Sequence, residues 1–138
     1  MELFFQFVSY QWHLFGLLCG LLVLLMFYEQ RKSGPALSPQ QLANLINQQQ
    51  AVVIDVRAAA DYKAGHIVDA VNIPVSQLDK QSQQLDKYAG RPLVVVCKMG
   101  QHSGAAAKQL KTKGFEQVYR LSGGMMEWSN SQMPLVRA

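Results

Sequence analysis

Cys97 opens the stretch "CKMGQHSG", directly after the apolar run Leu93 to Val96 and directly before an alanine-rich helical pattern. A cysteine is nucleophilic as its thiolate, so its usefulness depends on how well its surroundings stabilise negative charge on sulfur. Gly100 and Gly104 let this segment fold back on itself. Backbone N–H groups wrapped over the sulfur, together with the positive end of the following helix, would favour the thiolate. Lys98 stands beside the cysteine and His102 near the rim. The competing reading is a free cysteine packed as a small hydrophobe. A strand end, a glycine-bearing loop and a small-residue helix in succession favour the reactive one.

Other residues have chemistry-bearing types but less telling placement. Asp55 and Arg57 in "DVR", with Asp61 and His66 in "DYKAGHI", could be grouped as an acid–base set. Ion-pair networks also produce clustered charges, and a structural tie is the expected role. Arg57 is expected to add positive potential near the Cys97 loop. His13, His66 and His102 and the two cysteines show no C-x-x-C or H-x-x-x-H pairing, so neither a metal nor a cofactor is expected. Cys19 and Cys97 fall in unlike parts of the chain, which gives no disulfide framework and suits a reducing compartment.

The elements that position Cys97 follow from periodicity. Ser38-Pro39 reads as an N-cap with proline at the first helical position, followed by Leu42, Leu45 and Ile46 at helical spacing. "AVVIDV", "AVNIPV", "RPLVVVC" and "QVYRL" are four short strand candidates. "VSQLDKQSQQLDKYAG" and "SGAAAKQLKTKGF" between them read as helical, with Gly90 and Gly114 where C-caps are expected. Alternating strands and helices predict an α/β fold, a parallel sheet flanked by helices. Function in such sheets collects at the carboxyl ends of strands, where Cys97 stands.

The 138 residues suit one domain and an appendage. Residues 10–28 carry no charge, and nineteen residues at helical rise reach about 28 Å, the thickness of a bilayer hydrocarbon core. Tyr10, Trp12 and Tyr28 lie at its ends, where interfacial aromatics sit. No basic residue precedes the run and no A-x-A site follows it, so a retained single-pass anchor is expected rather than a cleaved leader. Arg31 and Lys32 follow directly and place the remainder on the cytoplasmic side. "SGPALSP" reads as a short linker, giving an anchor and linker over 1–36 and a domain over 37–138. That domain holds eleven Lys and Arg against seven Asp and Glu, scattered along it. This argues against a nucleic-acid partner and for weak attraction to anionic headgroups.

Three segments, "VVIDVRAAADYKAGHIVDAVNIP", "VVVCKMGQHSGAAAKQLKTKGF" and "VYRLSGGMMEWSNSQMPLV", stand in an order and at a spacing that resemble the rhodanese-like (sulfurtransferase) domain. With its anchor, the chain resembles the membrane-anchored rhodanese-like proteins of proteobacteria. The resemblance implies that Cys97 accepts a sulfane sulfur as a persulfide and passes it to a thiophilic acceptor. It implies that Lys98, Met99, Gly100, Gln101, His102 and Ser103 cradle the outer sulfur. It makes the partners a small sulfur donor or a protein persulfide, the lipid bilayer and a membrane protein, at the bacterial inner membrane. Gly123, Gly124 and Trp128 match the family's closing turn and helix. Many single-domain members carry arginine where this chain has His102, which points to a persulfide rather than thiosulfate as donor. Two alternatives follow: a non-catalytic docking module on the same fold, and a cysteine phosphatase. The phosphatase needs a loop one residue longer, closed by arginine, where this chain has Ser103.

Overall fold

The computed structural model describes residues 1–137, Lys32 by its backbone alone; Ala138, the last residue of the expected domain, lies outside them. The chain divides into two units, Met1–Arg31 and Lys32–Ala138. In the first, α1 (Glu2–Tyr10) and α2 (Trp12–Lys32) are separated at Gln11, whose φ of −117° interrupts the helical path. Within α2, Trp12–Arg31 is long and apolar enough to cross a bilayer, and its apolar stretch is not buried. A cleavable leader near an amino terminus would pass the same test.

The second unit is a parallel five-stranded sheet in the order β1-β5-β4-β2-β3. Its strands are β1 (Ala36–Leu37), β2 (Val52–Asp55), β3 (Val71–Asn72), β4 (Leu93–Val96) and β5 (Val118–Leu121). Strand alternation divides the core into two layers. Val52, Ile54, Leu93, Val95 and Cys97 face α6 (Ser103–Thr112) and pack with Ala106, Ala107 and Leu110. Val53, Val94 and Val96 face the other way, against Leu42 of α3 (Pro39–Gln49) and Met125 and Trp128 of α7 (Gly124–Asn130). β2 and β4 are fully buried, which is why they read as unbroken apolar runs.

Local signals act as expected at α3. Ser38 Oγ accepts from the Gln41 N–H at 3.2 Å, and Gln41 Oε1 accepts from the Ser38 N–H at 2.9 Å. Gly114, at φ +105°, follows the last turn of α6. Two stretches differ from expectation. "VSQLDKQSQQLDKYAG" is not one helix: α5 (Leu78–Gln81) lies between 3₁₀ turns at Val75–Gln77 and Ser82–Tyr88. Leu78 and Leu85 are both fully buried, and the segment bends to seat them in one core layer.

The stretch read as a linker also contributes to the sheet. Ala36 and Leu37 form β1 beside Arg120 and Leu121. The Pro35 carbonyl accepts from the Arg120 N–H, the Leu37 carbonyl from the Ser122 N–H, and the Gly34 carbonyl from Arg120 Nε at 3.2 Å. Gly34 is buried at φ +80°, and a Cβ there would lie 2.4 Å from the Val118 carbonyl oxygen. Two residues are too few to show strand periodicity, so pattern reading misses β1.

Candidate functional site

β4 delivers Cys97 to the carboxyl end of the sheet, where the residue is 2% exposed. The chain then turns through Lys98, Met99, Gly100, Gln101 and His102 before α6 begins at Ser103. The Gly100 N–H donates to Cys97 Sγ at 2.9 Å, a bond that strengthens as sulfur gains negative charge. Gly100 reaches that position at φ +89°, a conformation open to glycine at little cost. Ser103 is buried and its Oγ donates to the Gly100 carbonyl at 3.2 Å, which fixes the peptide whose neighbour faces the sulfur. Lys98, Met99, Gln101 and His102 are exposed around the rim. The loop from 97 to 103 holds no carboxylate.

The outer side of the loop is held by backbone. The Met125 N–H donates to the Cys97 carbonyl at 2.8 Å and the Met126 N–H to the Lys98 carbonyl at 3.0 Å. Both donors belong to the first turn of α7, whose free amides need partners. The approach depends on Gly124: a Cβ there would lie 2.3 Å from the Cys97 carbonyl oxygen and 2.8 Å from the Gly100 nitrogen. Gly123 and Gly124, at φ +73° and +62°, form the turn that allows it. Sequence reading matched these glycines to a closing turn but did not connect them with Cys97. The available signal was two successive glycines at the carboxyl end of a strand, where ligands and loops come close.

Asp55 and Arg57 come together at the end of β2 as a tie, and Arg57 reaches the backbone beside His66 through the Gly65 carbonyl. Arg57 Nη2 donates to Asp55 Oδ2 at 2.6 Å and its Nε to Oδ1 at 2.9 Å, while Nη2 also reaches the Gly65 carbonyl at 2.7 Å. Asp55 is fully buried, so the guanidinium charge is matched by a carboxylate with no solvent of its own. Asn72 Nδ2 donates to the Asp55 and Arg57 carbonyls. His66 is buried, stacks on Tyr62 at 3.8 Å, and its Nδ1 lies 2.7 Å from the Tyr62 carbonyl. Burial, and then the Asp55 and Asp69 charges, push the Tyr62 hydroxyl above its ordinary value of 10.0. Asp61 sits exposed in the first turn of α4 (Ala59–Ala64). Trp128 is buried and donates from Nε1 to the Pro134 carbonyl at 3.0 Å.

The family model described as "Rhodanese-like domain" matches residues 38–131. Escherichia coli YibN is 34% identical over 98 residues, covering 70% of this chain and 68% of that protein. The Synechocystis protein slr1261 is 32% identical over 106 residues, covering 77% of this chain and 58% of its own length. The chain thus spans about three fifths to two thirds of these relatives. A Bacillus subtilis relative, the putative sulfur carrier protein YrkF, is 26% identical over 73% of this chain and 54% of its own. A rhodanese-related protein from Thermoplasma volcanium superposes with a TM-score of 0.68 at 26% identity, over 75% of this chain and 99% of that one.

Proposed function

The chain belongs to the rhodanese-like family, and on that premise we propose that it is a membrane-anchored sulfurtransferase carrying sulfane sulfur on Cys97. The observation that carries the reading is the Gly100 N–H aimed at Cys97 Sγ in a loop clamped from outside by α7. In the loading step the Cys97 thiolate attacks the sulfane sulfur of a donor. A sulfur–sulfur bond to Sγ forms, the bond to the leaving group breaks, and the electron pair departs on a thiolate or sulfite. In the unloading step a thiophilic acceptor attacks the outer sulfur and the pair returns to Sγ. No external oxidant enters either step, and no metal or cofactor is assigned. The backbone amide stabilises charge without needing protonation, which suits a group that alternates between thiolate and persulfide.

Lys98, Met99, Gln101 and His102 form the rim a donor meets first, with Gly100 and Ser103 holding the cradle. His102 stands where an arginine would give a permanent forked donor, so a persulfide is the preferred donor over thiosulfate. Arg57 lends positive potential from the end of the adjacent strand β2, reduced by its pairing with Asp55. In this reading the apolar α2 is the anchor, and the basic residues Arg31 and Lys32 after it support a cytoplasmic domain at the inner membrane.

Mass spectrometry tests the chemistry: one added sulfur on Cys97 after exposure to a persulfide donor, removed by cyanide and absent from Cys97→Ser. If thiosulfate, mercaptopyruvate and persulfide donors all leave Cys97 unmodified, the domain is a docking module. His102→Arg is expected to raise turnover with thiosulfate about ten-fold, the worth of one charge-assisted hydrogen bond. Unchanged turnover would remove His102 from donor selection.

A further inference from the structure

The chain enters the domain at the foot of the Cys97 loop, and no slack separates that point from the apolar helix. Ser33 is the residue immediately after α2. It packs against Gly104, where an added Cβ would lie 3.5 Å from Ser33 Oγ. Gly104 is in the first turn of α6, beside Ser103, which bonds Gly100, which in turn bonds Cys97 Sγ. Three steps of contact therefore join the entry point to the sulfur, a path on the order of 10–15 Å. From Gly34 to Leu37 the chain is fixed to β5 by the three hydrogen bonds from Arg120 and Ser122, and Gly34 is wedged against Val118. A tether that remains folded cannot pay out. This bound follows from covalent connectivity and holds for any direction α2 takes.

The rim fits a bilayer surface in its chemistry. Lys98 is a basic side chain at the rim, and the loop from 97 to 103 has no carboxylate to repel anionic headgroups. Met99 is 47% exposed, and Met126, whose N–H binds the Lys98 carbonyl, is 56% exposed. We propose that the Cys97 loop works at the lipid headgroup layer and delivers its sulfur to a thiol that partitions into the membrane. This rests on the sulfurtransferase reading and on α2 spanning the bilayer. The acceptor thiolate attacks the outer sulfur of the Cys97 persulfide, forming a new sulfur–sulfur bond. The bond to Sγ breaks, its electron pair remains on Cys97 as thiolate, and the acceptor leaves as a persulfide.

Two measurements on the full chain in phosphatidylglycerol-containing vesicles test this. First, a fluorescent thiol label is placed at Met99→Cys or Asp86→Cys in a chain with Cys19→Ser and Cys97→Ser. Asp86 lines a depression with Gly90 and Gln117, at the amino ends of β4 and β5. A nitroxide-headgroup phospholipid should quench the label at 99 at least three-fold more than at 86. A twelve-residue Gly/Ser spacer between Lys32 and Ser33 should bring the two values together. Equal quenching without the spacer, or more at 86, overturns the placement. Second, persulfide-loaded protein is offered a phospholipid with a thiol headgroup. The spacer should slow that transfer about ten-fold and leave transfer to soluble cyanide unchanged. A lipid-thiol rate indifferent to the spacer overturns the assignment of a membrane-resident acceptor. Absence of any persulfide would remove the sulfurtransferase reading, and the quenching result would stand separately.

Discussion

β2 and β4 lie side by side, and Asp55 is in register with Val96. Their carboxyl ends are nevertheless built from different materials. At β2 the chain ends in side chains: a buried carboxylate, a guanidinium forked onto it, and an asparagine on the backbone of both. At β4 it ends in backbone: one amide on a sulfur, two amides on the carbonyls behind it, and glycines where a Cβ would collide. The charged pair at β2 is a scaffold, and the atom proposed to react sits where side-chain charge is sparse. The physical reason is permanence. A salt bridge at the sulfur would favour one charge state, whereas a fixed amide serves both the thiolate and the outer sulfur of a persulfide without rearranging.

The contrast makes unequal claims on stability. Asp55→Ala should cost most, about 3–5 kcal/mol, because it leaves the largely buried Arg57 side chain without its counter-charge. Denaturant unfolding would measure it, and a loss below 1 kcal/mol would dissolve the distinction between the two strand ends. Gly124→Ala should come next, at about 2 kcal/mol, since the new Cβ meets the Cys97 carbonyl at a strained φ. It should also slow persulfide formation at least ten-fold, a joint effect that sets it apart from simple destabilisation. Cys97→Ser should change unfolding by less than about 1 kcal/mol while removing all sulfur loading, which separates the reactive atom from its support. The smallest effect belongs to the exposed pair of Lys113 and Asp79, 2.8 Å apart. A hydrogen bond from Lys113, and then its charge, hold the Asp79 carboxyl below its ordinary value of 3.8. The pair's contribution is therefore present above that value and lost as pH falls through the lowered one. Lys113→Ala should leave melting at neutral pH nearly unchanged, and any residual difference should vanish in acid.

Much of this was legible in the residues. Four of the five strands, the Ser38 cap and the position of Cys97 follow from short-range pattern, because each is encoded within a few consecutive residues. What was not legible is long-range. β1 depends on Arg120, more than eighty residues away, and nothing in "SGPALSP" announces it. The Gly124 contact with Cys97 joins two loops through backbone atoms, which leave no mark in a single sequence beyond the glycine itself. The bend within 75–88 arose for a related reason. Helical spacing was real in the residues, and the need to seat both Leu78 and Leu85 in one layer overrode it.

The outermost strands, β1 and β3, are two residues long each. A sheet exposes unpaired N–H and C=O groups along its rims, and a long rim is a template on which another chain can add a strand. Here the four-residue β5 would be such a rim if Ala36 and Leu37 were not laid along it. On the proposed reading of α2 as an anchor, copies held on one membrane face meet far more often than copies free in solution. The short strip that follows α2 would therefore also keep neighbouring copies from joining edge to edge.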